Sequence, residues 1–240
     1  MTGVTLTWLG QAGFLLRADG VATVSRLDLA VALLPDGPTV AAVAAASPAC
    51  RVVVPEPVTD QAVAAGVPAS RVVGAVAGEP VPGLPVPVHP VPARHGVDVA
   101  DAYTFGHELS GGRTRYLGYV IELGGARIYH AGDTVWWTGQ EDELRRLGVH
   151  VALLPINGRD PVREAANIVG NLDHREAALL AHAAGVDLPV PMHWDMFEAN
   201  LGFPEQLVAT VSRLDLAVAV LVPKRLRPFR PRRARPGQYA

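Results

Sequence analysis

Three side chains that can bind a metal ion each follow a short apolar run of the sequence. They are His95, after a proline-rich run, Asp133, in a Gly-Asp turn, and His193, within the letters VDLPVPMHWDMF. A single histidine in such a place is more often hydrogen-bonded within the fold than bound to a metal. Because imidazole and carboxylate groups that converge from separate strands suit zinc or manganese, the three residues together predict a metal site.

The composition of the chain limits which classes of protein it can belong to and which residues can hold a metal ion. Its 240 residues are 49% hydrophobic and 18% charged, with 24 glycines and 21 prolines, which indicates a folded, turn-rich domain and not a disordered chain or a coiled coil. Cys50 is the one cysteine, so a disulfide framework within the chain and a cysteine-based zinc ribbon are excluded. Any bound metal must be held by histidine and carboxylate side chains.

The charge and the apolar runs bear on location and partners. No basic segment followed by an apolar stretch opens the sequence, which predicts a cytoplasmic protein. No apolar run approaches the roughly 20 residues of a membrane-spanning helix, so we expect no membrane span. Seven basic residues lie within 224–235, where Phe229 is the one aromatic residue. We interpret 224–240 as a solvated, Pro/Arg-rich tail and expect no nucleic-acid partner.

Periodicity and turn residues divide the rest of the chain into strand-like and helical segments. Short apolar runs bounded by glycine or proline predict strands at 4–9, 14–17, 51–55, 86–91, 117–123, 127–131, 149–155, 188–192 and 217–222. Helical spacing of apolar residues predicts helices at 38–46, 59–65, 141–147, 173–184 and 204–214. Asp173 and Glu176 form a predicted capping box. The pattern predicts an α/β sandwich of two sheets with helices outside, as one domain over 1–223.

A twelve-residue segment, VATVSRLDLAVA, occurs twice, at 21–32 and at 208–219. Structural repeats diverge and recur at a fixed period, whereas these copies are identical and have unrelated flanks. The first copy follows Asp19-Gly20, which is a hairpin signal, and the second is predicted to be a helix end that runs into a strand. Either one peptide adopts two local structures, or the first copy entered the sequence by recombination.

Five longer segments carry a resemblance to a known family. They are TLTWLGQAGFLLR, HPVPARHGVDVADAYTFG, YLGYVIELGGARIYHAGDT, LLPINGRDPVREAANIVGNLDHREAALLA and VPMHWDMFEANLG. In these segments the chain resembles the metallo-β-lactamase superfamily and, within it, the branch of L-ascorbate-6-phosphate lactonase. The resemblance implies an αββα sandwich with a dinuclear zinc or manganese site at the strand ends. His95 matches the histidine of the third motif, Asp133 the bridging aspartate and His193 the histidine of the last motif.

The principal signature of that family, H-x-H-x-D-H, is missing from the chain. It should follow a buried strand early in the sequence, for which 29–34 is the candidate, yet no histidine precedes His89. The repeated segment lies in the same region, which predicts a fold truncated in its first half. The three matching residues then remain as an open facial triad for one metal ion, or for none.

Other histidines and one aspartate could replace the missing ligands. Asp36, His107 and His174 are candidates. His130 lies three residues before Asp133, so strand alternation turns it to the other face and favours a structural role.

The turn Asn157-Gly158-Arg159-Asp160 is the candidate substrate-binding segment. The guanidinium of Arg159 is suited to a bidentate contact with a substrate phosphate, and Asn157 is the second predicted substrate-binding residue. The alternative is an Arg-Asp pair that fixes the loop. Trp136 and Trp137 are predicted either to line the pocket mouth or to pack against a neighbouring subunit.

Three functions are compatible with these residues. The favoured one is an enzyme, a lactonase-like hydrolase in which Asp133 is catalytic and a metal-activated hydroxide attacks a small sugar-phosphate lactone or related ester. The first alternative is a non-catalytic remnant of the fold, because the signature is missing. The second is a phosphodiesterase or phospholipase-like member of the superfamily. The apolar composition allows a homo-oligomer, and no G-x-S-x-G elbow or P-loop is present.

Overall fold

The computed structural model describes residues 3–25, 44–95, 108–109, 113–165, 171–195 and 198–231. The strands in this part of the chain are β1 (Thr5–Gly10), β2 (Gly13–Ala18), β3 (Val21–Ser25), β4 (Val52–Pro55), β5 (Val72–Ala75), β6 (Val88–Pro92), β7 (Glu108–Leu109), β8 (Arg113–Thr114), β9 (Leu117–Leu123), β10 (Ala126–His130), β11 (Val151–Pro155), β12 (Leu188–Met192) and β13 (Pro228–Phe229). The α-helices are α1 (Thr59–Ala64), α2 (Gln140–Arg146), α3 (Pro161–Ala165), α4 (His174–Ala183) and α5 (Pro204–Arg213). None of the described helices is long and apolar enough to cross a membrane.

Two sheets form the body of the fold. The first has the strand order β13-β1-β2-β3 and is antiparallel throughout. The second has the order β12-β11-β10-β9-β6, in which β10, β11 and β12 are parallel and β9 is antiparallel to both of its neighbours. It follows that β6 points the same way as β10, β11 and β12. The carboxyl ends of these four strands therefore lie at one edge of the sheet.

One apolar core joins the two sheets. Residues of β1 and β2, such as Leu6 and Phe14, belong to the same buried cluster as Ile128 of β10 and Leu153 of β11. Every residue of β11 and β12 is buried, as expected for parallel strands covered on both faces. Helix α4 packs on these strands with its buried alanine and leucine side chains. The predicted α/β sandwich is confirmed.

Helix α4 begins with the predicted capping box. The Asp173 side chain accepts a hydrogen bond from the Glu176 N–H at 2.7 Å, and the Glu176 carboxylate accepts one from the Asp173 N–H at 3.1 Å. Two N–H groups that the first turn of a helix leaves without a partner are thus satisfied.

The predicted strand at 217–222 is wrong. The Ala219 N–H donates to the carbonyl of the residue just before β12 at 3.1 Å, and the Leu221 N–H donates to the Pro189 carbonyl on the outer edge of β12 at 3.2 Å. The segment nevertheless forms no regular strand. On that edge β12 presents Pro189 and Pro191, which have no N–H to donate in return. The apolar sequence therefore lies beside the sheet without extending its ladder.

The two copies of the repeated segment adopt different structures. VATVS of the first copy is β3, paired with β2 through the Asp19-Gly20 turn, where both residues have positive φ angles of 50° and 78°. The same letters at 208–212 lie in α5, which begins at Pro204. The same five letters thus take two local structures. Pairing with β2 makes the first copy a strand, whereas the helix that begins at Pro204 continues through the second copy. The rest of the first copy and the predicted signature strand at 29–34 lie outside the described residues.

Part of the predicted basic tail packs on the first sheet. In β13, Phe229 lies opposite Leu6 of β1, and the Leu226 N–H donates to the Trp8 carbonyl at 2.7 Å. The Arg225 guanidinium donates to a carbonyl of β1 at 3.2 Å. These contacts cover the free edge of β1. Residues 224–228 and 230 are exposed to solvent. Residues 232–240 lie outside the described part.

Candidate metal centre

His95, Asp133 and His193 meet at the carboxyl-terminal edge of the five-stranded sheet. His95 lies three residues after β6, Asp133 three residues after β10 and His193 directly after β12. The Nε2 atom of His193 is 3.3 Å from Asp133 Oδ1, and the Nε2 atom of His95 is 3.7 Å from Asp133 Oδ2. The structure therefore brings the three predicted ligands together, with each histidine on a different oxygen of one carboxylate.

Asp133 is buried and carries its charge at neutral pH. Burial by itself raises the pKa of the Asp133 carboxyl, but attraction to His193 and a hydrogen bond from it, with smaller contributions from His95 and His130, lower that pKa to about 2. The ionised carboxylate is the form that binds a metal cation.

Two buried asparagines lie behind Asp133. The Nδ2 of Asn171 is 3.4 Å from Asp133 Oδ1 and donates to Asn157 Oδ1 at 3.0 Å; both asparagines are 2% exposed. Asn157 thus lies close to the candidate centre, and its predicted role in substrate binding stays a prediction. Asn171 was not predicted, since it precedes α4 in a segment with no strand-end signal. Its amide links the carboxylate to the turn that follows β11.

Arg159 is engaged by Glu176. Its two terminal nitrogens lie 3.0 and 2.6 Å from the two oxygens of that carboxylate, and one of them donates to the Asn171 carbonyl at 3.2 Å. The contact fixes the turn to the start of α4, as the alternative interpretation proposed, but with Glu176 in place of Asp160. Asp160 pairs with Arg163. Substrate binding by Arg159 stays a prediction.

His130 has a structural role. It is 1% exposed, its Nε2–H donates to the Ala12 carbonyl at 2.7 Å, and its Nδ1 accepts from the Gly132 N–H at 3.3 Å. These bonds tie the end of β10 to the first sheet, which fits the structural role favoured from the sequence. His174 is the first residue of α4, while Asp36 and His107 lie outside the described residues.

The burial of His130 predicts a loss of stability in acid. Burial lowers the pKa of its imidazole below the ordinary 6.5, more than the Ala12 carbonyl and Asp133 raise it. Near pH 6.5 the unfolded chain binds a proton at this imidazole that the folded chain does not bind. The free energy of unfolding is therefore highest above that pH and falls below it. We expect the free energy of unfolding in urea to fall between about pH 7.5 and about pH 5.5, and to fall less in His130→Gln.

Exposed His182 supplies the control for this measurement. His182→Gln should keep the pH dependence of the parent, because this side chain is exposed on α4 and its replacement removes no buried contact. An identical pH dependence in His130→Gln and the parent would contradict the prediction.

The turn between β1 and β2 reaches the site from the other sheet. The carbonyl of Gln11 accepts from the His193 N–H at 3.0 Å and from the Trp8 indole N–H at 2.9 Å, and the Gln11 N–H donates to Asp195 Oδ1 at 3.1 Å. Trp8 stacks on Trp194 with ring centres 5.1 Å apart. Gln11 and His193 have φ angles of 49° and 55°, a left-handed conformation that non-glycine residues adopt mainly where surrounding contacts impose it.

Gln11 was not identified from the sequence. It lies 182 positions from His193, and nothing in the letters LGQAG indicates that the two residues meet. The contact depends on the packing of the two sheets against each other.

The donor set of the centre fits one divalent ion by its chemistry. Two imidazole nitrogens and a carboxylate are ligands that zinc and manganese accept. Ligand atoms that lie about 2 Å from a tetrahedral ion are about 3.3 Å from each other. The His193–Asp133 distance of 3.3 Å matches this value, and the His95–Asp133 distance of 3.7 Å exceeds it. Within the described ranges, no three His, Cys, Asp or Glu side chains form a ready-made metal site. The three side chains therefore approach one another without forming a closed ligand set.

A separate cavity of about 500 Å³ lies at the opposite edge of the same sheet. Its lining includes Glu122 and Arg127, beside the turn between β9 and β10, and His150. It is remote from the carboxyl ends of the strands, so we do not assign it to the metal centre.

Comparison with known proteins identifies the family. Residues 36–194 match the beta-lactamase superfamily domain, which is well over half of the chain. The chain belongs to this superfamily.

Among curated members, it is 34% identical over 112 residues to a UPF0173 metal-dependent hydrolase of Korarchaeum cryptofilum, covering 45% of this chain and 44% of that protein. It is 33% identical over 107 residues to a protein of the same name from Methanoculleus marisnigri, covering 44% and 43%. The chain thus matches less than half the length of these relatives.

Two solved structures share the fold of this chain. Igni18, a metallo hydrolase from Ignicoccus hospitalis, superposes with a TM-score of 0.65 at 22% identity, over 95% of this chain and 99% of that one. The isothiocyanate hydrolase from Delia radicum gut bacteria gives a TM-score of 0.65 at 14% identity, over 94% and 98%. At such identities the likeness establishes the metallo-β-lactamase fold and nothing finer.

Proposed function

We propose that this chain is a metal-dependent hydrolase that binds one divalent ion, zinc or manganese, through His95, Asp133 and His193. The observation that carries the proposal is the convergence of two histidines from separate strand ends on one buried carboxylate, at 3.3 and 3.7 Å. The names of the curated relatives, metal-dependent hydrolases, support the same class of activity.

A bound divalent ion would supply Lewis-acid activation of water and of the scissile carbonyl. The residues of the chain hold the groups around it. Asp133 carries the negative charge, and Asn171 limits rotation of that carboxylate by donating to Oδ1. Because Asn157 is 2% exposed, we assign its effect on the substrate to its contact with Asn171 and not to direct binding.

For the substrate we propose a small ester or lactone that carries a phosphate, as the resemblance to the L-ascorbate-6-phosphate lactonase branch suggests. Arg159 is the proposed phosphate-binding group, and its side chain is 24% exposed. Its bidentate contact with Glu176 holds the guanidinium plane in place, which fixes the direction in which this group can donate to a phosphate. A phosphodiester is the alternative substrate class.

The second candidate function is a non-catalytic remnant of the fold. Two observations favour it: no histidine precedes His89 in the sequence, and the described residues contain no ready-made three-ligand metal site. A fold that keeps its core but lacks part of its ligand set would be stable without catalysing a reaction.

Metal stoichiometry distinguishes the two functions. The purified chain is loaded with zinc or manganese, freed of excess ion and assayed for metal, lactone hydrolysis and phosphodiester hydrolysis. We expect about one ion per chain and turnover of one substrate class. Less than about 0.1 ion per chain with no turnover of either class would contradict the hydrolase and favour the remnant.

A further inference from the structure

Gln11 faces the nitrogen of His193 that points to the proposed ion. The Nε2 of His193 is 3.4 Å from the side-chain amide nitrogen of Gln11 and 3.3 Å from Asp133 Oδ1. One imidazole nitrogen either donates a hydrogen or accepts one, so it cannot donate to Asp133 and accept from Gln11 at the same time. A half-turn of the Gln11 amide replaces its nitrogen by its oxygen at the same position.

The backbone keeps the side chain of Gln11 at this place. Its carbonyl accepts two hydrogen bonds, from His193 and Trp8, and its N–H donates to Asp195. These three bonds hold Gln11 at a φ of 49°, a conformation that costs free energy for a non-glycine residue and persists where the surroundings impose it. The amide is therefore directed to the metal centre by a rigid turn.

We propose that Gln11 is a fourth member of the metal centre, with its amide oxygen directed at the ion. The inference rests on the proposed single-ion function. Amide oxygens, like carboxylates, are ligands for hard divalent cations such as manganese. Gln11 would supply from the first sheet an oxygen that complements the three ligands of the second sheet, in a chain with no histidine before His89.

Two substitutions at position 11 test this role. Gln11→Glu keeps the length of the side chain and adds a negative charge, so manganese affinity measured by titration calorimetry should rise about tenfold. Gln11→Asn keeps the amide but is one methylene shorter, so affinity should fall about tenfold. Because asparagine tolerates the left-handed conformation, Gln11→Asn should unfold in urea at the parent's midpoint. Gln61→Glu, on α1, adds the same charge away from the centre and should keep affinity within about twofold.

The outcomes separate this inference from the proposed function. Manganese affinities equal in the parent, Gln11→Glu and Gln11→Asn would overturn the role of Gln11 and leave the proposed function standing. If the parent binds no ion but Gln11→Glu does, the proposed function fails and the position of Gln11 beside the ion is supported. If neither chain binds manganese or zinc in the same titration, both are overturned.

Discussion

Asp133→Asn should reduce the affinity of the chain for zinc or manganese more than about 100-fold. This loss is larger than that expected for a residue that only hydrogen-bonds to a metal ligand. Asparagine has the shape of aspartate, so the fold should be kept. The negative charge on which His95 and His193 converge is lost, and the amide directs an N–H at a place where a cation would bind. Titration calorimetry gives the affinity, and circular dichroism reports the fold.

Asp142→Asn is the matched control for that substitution. The Asp142 side chain is 73% exposed on α2, where it pairs with Arg145. Its loss should leave metal affinity unchanged, since exposed charges away from the centre are screened. An Asp133→Asn chain that binds an ion as tightly as the parent would show that the ion lies elsewhere and that the proposed centre is wrong.

Gly118→Ala should lower the free energy of unfolding by about 3 kcal/mol, the upper end of the usual cost of overpacking. A Cβ atom at this position of β9 would lie 2.7 Å from the Ala131 carbonyl oxygen and 2.8 Å from that of His130. Both are backbone atoms at the end of β10, so relief requires the strands to separate. That movement displaces the turn which carries Asp133, and metal affinity should fall together with stability.

Urea unfolding of Gly118→Ala is best compared with that of Gly3→Ala. A Cβ atom at Gly3 meets nothing within 4 Å, so this second alanine should change the unfolding free energy by less than about 0.5 kcal/mol. Equal stability of the two variants would mean that the close approach of β9 to the end of β10 does not constrain the fold.

Local signals predicted most of the elements that build the centre. The strands 117–123 and 188–192 have the same bounds as β9 and β12, and the capping box of α4 was placed correctly. These features depend on apolar runs, turn residues and caps that act within a few residues. The strand predicted at 217–222 failed because prolines on the neighbouring strand, and not its own residues, decide whether it can pair.

Pairings between distant segments were not predicted. Gln11 contacts His193, which lies 182 positions away in the sequence, and Arg159 pairs with Glu176 and not with the adjacent Asp160. In each case the partner depends on how a helix or a second sheet packs, which no local pattern encodes. The identical segments at 21–25 and 208–212 are the clearest case, since the same letters form a strand and a helix.

The sequence by itself determined the chemical identity of the donors. It placed His95, Asp133 and His193 after strands, left cysteine out of the ligand set and placed no histidine before His89. Only the tertiary structure decided that each histidine faces its own oxygen of Asp133, and that Gln11 joins them. The physical reason is that strand ends follow from local apolar patterns, whereas separations of 3 to 4 Å between side chains depend on the packing of two sheets around a shared core.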